Sequence, residues 1–284
     1  RRSWNAECLM TYSTPPPNLR SLEQRIRNLE TNDSSSLRRQ VTMAMVVVGQ
    51  MLPTGAVKGG AAMALRYGHT ASRFTQDLDA ARALPLNDFL DAFEACLDQG
   101  WAGFTGRVVD RKPPRPAGIP PAYVMQPFDV KLDYLGRSWR TVTFELGHNE
   151  IDDAAEPDFR IAADLVELFT GLGLPAPRPI AVMRADHQVA QKLHAVSEPD
   201  SERVRDLVDL QLLDRGEGLD LTQVRATCQR LFEYRRLHAW PPLLQTGAGW
   251  DTLYEAAIEG VDALPDIEAA VAWVNDLIRR IAEA

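Results

Sequence analysis

Apolar residues recur at helical spacing over Leu22–Leu29 and again over Leu37–Leu52, where the pattern stops at Pro53-Thr54-Gly55. A short strand, Ala56-Val57-Lys58, then closes on Gly59-Gly60, and Ala61–Tyr67 is rich in strong helix formers. A polar loop, Gly68–Gln76, leads to a second short strand, Asp77–Ala81, and a helix capped by Asn87 runs to Leu97. Three extended segments follow, Gly103–Asp110, Tyr123–Tyr134 and Trp139–Leu146, the last two joined as a hairpin through Gly136-Arg137-Ser138. Pro113–Pro121 reads as an exposed loop, Phe159–Thr170 as a helix and Ile180–Met183 as a strand. The rest of the chain is helical in pattern, and no internal repeat is visible. The expectation is an α+β protein in three parts. A flexible N-terminal arm (1–20, with Pro15-Pro16-Pro17) precedes an α/β lobe with a mixed sheet (21–175) and an α-helical lobe (176–284).

Composition narrows the class without naming a reaction. At 284 residues with 45% hydrophobic and 25% charged content, the chain is long enough for two domains of ordinary globular make-up. The longest apolar run, around Met43–Val48, is too short to cross a bilayer, and no secretion-signal order stands at the N-terminus. Cys8, Cys96 and Cys228 lie far apart with no metal spacing, which fits a reducing cytoplasm. The net charge of −8 argues against a general nucleic-acid coat but leaves room for a local basic groove. Arg230, Arg235 and Arg236 with Phe232 and Tyr234 could supply one, or could be a solvated helix face with buried aromatics.

Candidate chemistry concentrates in the 22 residues from Lys58 to Asp79. Asp77 and Asp79 are two apart on a strand, so both carboxylates face one side while Leu78 faces the core. Two adjacent carboxylates repel unless a cation lies between them, so the pair suits magnesium. Nucleotidyl transfer commonly uses two such ions about 3.5–4 Å apart. Glu145 is a candidate third ligand or else an exposed strand-end acid: strand alternation puts it with Thr141 and Thr143 on the polar face, opposite Val142, Phe144 and Leu146. Asp133 is a weaker substitute. Gly59-Gly60 leaves backbone N–H groups open to a phosphate at a helix start, although the chain lacks a Walker A sequence; a plain strand-to-helix turn is the simpler alternative.

A second segment lies far along the chain. In Gln188–Val196 the stripe Val189, Leu193 and Val196 leaves Lys192 at its border, placed to reach a triphosphate. Asp206 and Asp209 share a helix face, and Asp206 could orient Lys192, bind ribose or take a proton from the attacking hydroxyl. Surface ion pairs are the alternative for this group. His187 and His194, seven apart, are too distant to share one ion; His69 and His148 could be titrating helpers. Cys96 reads as a core residue, and Trp240, Trp250 and Trp273 as packing for the helical lobe.

Taken together, Lys-Gly-Gly-x-Ala-x-x-Leu-Arg, Arg-x-Thr-x-Asp-x-Asp, Ala-x-Lys-x-x-Ala and Arg-Asp-x-x-Asp-Leu resemble the AbiEii/AbiGii toxin family, over Lys58 to Leu210. The resemblance implies a polymerase-β-like nucleotidyltransferase lobe and a helical lobe, in a toxin of a toxin–antitoxin or phage-defence system. The chain is also similar to mycobacterial relatives that add pyrimidine nucleotides from an NTP to the tRNA 3′ acceptor end, blocking aminoacylation and translation. By this resemblance Asp77 and Asp79 are metal ligands, Lys192 is the triphosphate contact and Asp206 the remaining active-site acid. Lys58, Gly59, Gly60, Arg73 and Asp209 surround the NTP, although Asp209 could be structural. Two departures stand out: Gly59-Gly60 replaces the usual Gly-Ser, and Glu145 stands where aspartate is common. Some members are silenced by an antitoxin kinase, which makes Thr75, and secondarily Ser72, candidate phosphorylation sites. Two other outcomes stay open: nucleotidyl transfer to a protein side chain, and a catalytically idle module that binds RNA or an antitoxin.

Overall fold

The computed structural model describes residues 12–29, 33–112 and 124–284. Ten helices and seven strands are present among them: α1 (Leu19–Asn28), α2 (Asp33–Gln50), β1 (Gly55–Lys58), α3 (Gly59–Tyr67), β2 (Asp77–Arg82), α4 (Leu86–Gln99), β3 (Phe104–Asp110), β4 (Gln126–Tyr134), β5 (Arg137–Gly147), β6 (Asp158–Arg160), α5 (Ala163–Gly171), β7 (Ile180–Val182), α6 (Ala185–Ser197), α7 (Arg205–Gly216), α8 (Leu221–Arg235), α9 (Trp250–Ala257) and α10 (Ile267–Glu283). The strands form one mixed sheet ordered β3-β4-β5-β2-β1-β7-β6. β2 and β5 run parallel, as do β1 and β7; the other neighbours are antiparallel. The fold is therefore α+β, with a mixed sheet followed by helices.

Two hydrophobic cores divide the chain. The first lies on one face of the sheet. Leu78, Ala80, Phe128, Val130, Val142 and Phe144 project from the strands, and the buried Met43–Val48 run of α2, Phe89 and Phe93 of α4 and Phe169 of α5 cover them. Phe93 and Phe144 meet with ring centroids 5.2 Å apart. Each such ring, fully removed from water, contributes about 1.5–3 kcal/mol; the opposite face carries a small apolar cluster, Ala56, Ala81, Ala154 and Met183, beside its polar groups. The second core joins α6, α7, α8, α9 and α10 and includes Trp250. Met63 of α3 belongs to this second core while Ala61, Ala62 and Leu65 belong to the first, so α3 is the splint between the lobes. Arg66 on the same helix ties them electrostatically, with ion pairs to Asp158 and Glu217 at 2.6 and 2.9 Å.

Several expectations need correction. β7 extends the sheet to Val182, beyond the boundary near 175, because Val57 pairs with Val182 in parallel register. Phe159 lies in the edge strand β6, its ring exposed, rather than starting a helix; the helix begins at Ala163. Pro85, not Asn87, occupies the N-cap of α4. The hairpin turn is Leu135-Gly136, both at positive φ, one residue earlier than expected. Within the expected flexible arm, Pro16 is buried and its carbonyl accepts a 2.7 Å hydrogen bond from Tyr134 Oη; Arg25 donates to the Thr14 carbonyl. That part of the arm is held against the sheet. Residues 1–11, including Cys8, and the loop Pro113–Pro121 lie outside the described residues. Among the described residues no helix is long and apolar enough to cross a membrane.

Candidate active site

The polar face of the sheet carries a row of three register partners: Lys58 on β1 lies opposite Asp79 on β2, which lies opposite Glu145 on β5. Register partners point to the same side of a sheet. Asp77, two residues before Asp79, shares that side and is exposed at its rim. Burial pushes the Asp79 carboxyl up to about 6; Lys58 opposes the shift, while Glu145 and Asp77 add to it. The Lys58 ammonium reaches over Gly147, lying 2.8 Å from where a Cβ there would stand.

The glycine turn has a steric reason. Gly59 has φ 63°, and a Cβ on it would fall 2.3 Å from Asp79 Oδ2. A Cβ on Gly60 would lie 3.0 Å from both Arg73 Nη2 and Thr75 Cβ. The turn thus lets Asp79 and the Arg73–Thr75 loop close onto the N-terminus of α3.

The helical lobe faces this row with a chain of five alternating charges. Lys192 of α6 is buried and donates to Asp206 Oδ1 at 2.9 Å and Asp209 Oδ2 at 2.6 Å. Arg73, from the loop before β2, grips Asp209 with Nε and Nη2 at 3.0 and 2.9 Å. Arg203 Nε holds Asp206 Oδ2 at 3.0 Å. Burial pushes Asp206 up, but Lys192 and Arg203 outweigh it and hold the carboxyl below its ordinary value. Asp206 is therefore anionic with both oxygens occupied, which suits positioning Lys192 better than accepting a proton. Asp209 has no exposed side-chain surface and holds Lys192 and Arg73 together, so the expected NTP contact becomes a supporting role.

Row and chain enclose a cleft of 310 Å3, lined among others by Lys58, Gly59, Asp79, Glu145, Lys192 and Asp206. Arg203 and Arg235 also line it. Arg235 pairs with Glu150 at 2.6 Å, and Asp153 beside Glu150 accepts from Gln191 at 2.8 Å. Gln191 and Arg203 lacked a sequence signal beyond proximity, Gln191 adjoining Lys192 and Arg203 standing three residues before Asp206. Of the two readings of the Arg230–Arg236 segment, the helix face with buried aromatics fits better: Phe232 is buried and Arg230 faces Ile151 and Asp152, while Arg235 alone of the three arginines lines the cleft. Asp133 pairs with Ser138 near the far hairpin end, away from the cleft. His69 pairs with Asp164 at 2.8 Å, while His148 meets Tyr234 Oη at 3.2 Å. His187 and His194 are buried in α6, and burial pushes His194 down to about 3. Ser72 is fully buried, its Oγ donating to the Gly68 carbonyl at 2.6 Å, so a kinase cannot reach it in this conformation. Thr75 is partly exposed.

Among the described residues no three of His, Cys, Asp or Glu are drawn together as a ready-made ion cage. The donor chemistry still suits a hard cation: Asp77, Asp79 and Glu145 offer oxygen ligands on one face, and Asp79, raised mainly by burial and further by Glu145 and Asp77, is a carboxylate that a cation would stabilise.

Comparison with known proteins places the chain in a family. MenT4, a nucleotidyltransferase toxin from Mycobacterium tuberculosis, superposes with a TM-score of 0.55 at 17% identity, covering 93% of this chain and 90% of MenT4. JHP933 from Helicobacter pylori gives a TM-score of 0.45 at 15% identity, over 89% of this chain and 97% of that one. No curated protein sequence matches. Residues 50–276 match the family described as nucleotidyl transferase AbiEii toxin of type IV toxin–antitoxin systems. The chain belongs to the AbiEii nucleotidyltransferase toxin family.

Proposed function

We propose that the cleft between sheet and helical lobe is the site of a magnesium-dependent transfer of nucleotides, pyrimidine ones by resemblance, from an NTP to the 3′ acceptor end of tRNA. The reading puts the reaction in the cytoplasm, where it blocks aminoacylation and translation until a cognate antitoxin intervenes. The observation that carries it is the facing of the Lys58–Asp79–Glu145 row by the Lys192–Asp206 pair across one cleft.

In this reading Asp77, Asp79 and Glu145 hold magnesium, which when bound neutralises phosphate charge and lowers the pKa of the attacking hydroxyl. Lys58 and Lys192 approach the triphosphate from opposite walls, and Arg203 and Arg235 add positive charge at the mouth. Asp206 fixes the Lys192 ammonium; Asp209 fixes both Lys192 and Arg73, keeping the 73–75 loop on α3. A charged, pre-positioned wall of this kind costs little reorganisation as charge develops on the leaving pyrophosphate.

The test is to incubate the full chain with magnesium, each radiolabelled NTP in turn, tRNA and cell extract, and then resolve RNA from protein. Label on tRNA is the expected result. Label on protein alone would replace tRNA by a protein acceptor, and no label would leave a binding module.

A further inference from the structure

Beside the catalytic cleft lies a larger one of 910 Å3, and Arg203 lines both. Arg38 of α2, Arg73, Arg203 and Arg205 line it with Phe74, and Leu253, Ala256 and Ala257 of α9 add an apolar part to the lining. We propose that this cleft seats the sugar–phosphate backbone of the acceptor's single-stranded end, feeding its 3′ hydroxyl past Arg203 into the catalytic cleft. The inference rests on RNA being the acceptor.

Three observations carry it. First, four arginines around one cleft, against two carboxylates (Glu202 and Glu259), run counter to a chain of net charge −8. Second, the arginines are not all neutralised internally. Arg73 and Arg203 are engaged by Asp209 and Asp206, but Arg205 is exposed and has no ion-pair partner among the described residues. Partial desolvation of its guanidinium lowers its pKa, Arg203 and Arg73 lower it further, and Asp206 and Asp209 do not fully offset them, so an anion would be welcome beside it. Third, Arg38 lies 5.9 Å over the Phe74 ring, which gives the cleft an aromatic surface beside its charges. Spaced cations with an aromatic face suit a single-stranded polynucleotide, whose phosphates repeat and whose bases stack. An acidic peptide would use the cations but has less call for the ring.

The test uses equilibrium binding of fluorescein-labelled tRNA to the full chain across a salt series, which needs no turnover. Arg205 lies outside the catalytic network and is exposed, so Arg205→Ala should keep wild-type thermal stability and affinity for a non-hydrolysable NTP. If Arg205 holds a backbone phosphate, the variant loses about 0.7 from the slope of log affinity against log salt, and binds tRNA about fivefold more weakly at 0.1 M salt. Arg205→Lys should restore most of the slope. An unchanged slope and affinity in a folded Arg205→Ala, with tRNA still labelled by the wild type, overturns the cleft assignment and leaves the proposed activity standing. Failure of wild-type chain to bind tRNA, with label going to protein, overturns both.

Discussion

A Cβ on Gly59 would stand 2.3 Å from Asp79 Oδ2, so the residue that opens α3 and the acid in the middle of the strand row are sterically locked. Gly59 also sits at φ 63°, where any other L-residue pays about 1–2 kcal/mol. Gly59→Ala should lower stability by at least about 1 kcal/mol and, by displacing Asp79, cut nucleotide transfer by more than about tenfold. Urea unfolding and label transfer on the same preparation check both halves; near-normal transfer would mean Asp79 tolerates the displacement.

Asp79 should cost stability at neutral pH. Its folded carboxyl titrates at about 6, above the 3.8 of the unfolded chain, so the folded state holds its proton longer. Stability therefore falls as pH rises through the window from 3.8 to about 6, and stays lower above it. Asp79→Asn removes that loss. It should be inactive, yet more stable than wild type by about 1–3 kcal/mol at pH 7, with the advantage gone below pH 4. Magnesium should narrow the gap at pH 7 by stabilising wild type alone. Urea midpoints at the two pH values, with and without magnesium, decide it.

The two strand acids and the two helix acids should separate by stability. Asp209 is fully buried between Lys192 and Arg73, and removing it leaves two buried cations short of a partner. Asp209→Ala should cost about 3–5 kcal/mol. Asp77 is exposed, so Asp77→Ala should leave stability within about 0.5 kcal/mol while abolishing transfer. Equal destabilisation by the two would contradict the assigned roles.

Thr75, partly exposed beside the glycine turn, is the hydroxyl we propose for regulation of the site. Its Cβ stands 3.0 Å from the Cβ position of Gly60, at the start of α3, two residues from Asp77. A phosphate there adds about −1.5 to −2 charge where the triphosphate must approach. Thr75→Glu should lower kcat/KM more than about tenfold, mainly through NTP binding, and Thr75→Ala should leave it within about twofold. A Thr75→Glu variant with normal NTP affinity would remove Thr75 from consideration.

Much of the sheet was legible because strands with one buried face alternate. Leu78 between Asp77 and Asp79, and Phe144 beside Glu145, set which side each acid takes by strand alternation alone. The parts that misled were those where tertiary contacts override local pattern. Phe159 follows an edge-strand pairing with Ala181, and Pro16 is trapped by Tyr134, neither visible in a window of neighbours. Burial explains the site residues whose expected roles changed: Ser72 and Asp209 carry reactive or charged groups, but the fold turns them inward. Arg203 was hidden for the opposite reason, since an exposed arginine has no sequence mark until Asp206 is seen bound to it.

The central claim, that sheet row and helical pair form one nucleotide site, is tested most directly by a structure of the full chain with magnesium and a non-hydrolysable NTP. The account predicts metal on Asp77, Asp79 and Glu145, with the triphosphate reaching Lys58 and Lys192 across the 310 Å3 cleft. A nucleotide bound elsewhere, with its triphosphate away from Lys58 and Lys192 and no metal on the strand acids, would contradict it.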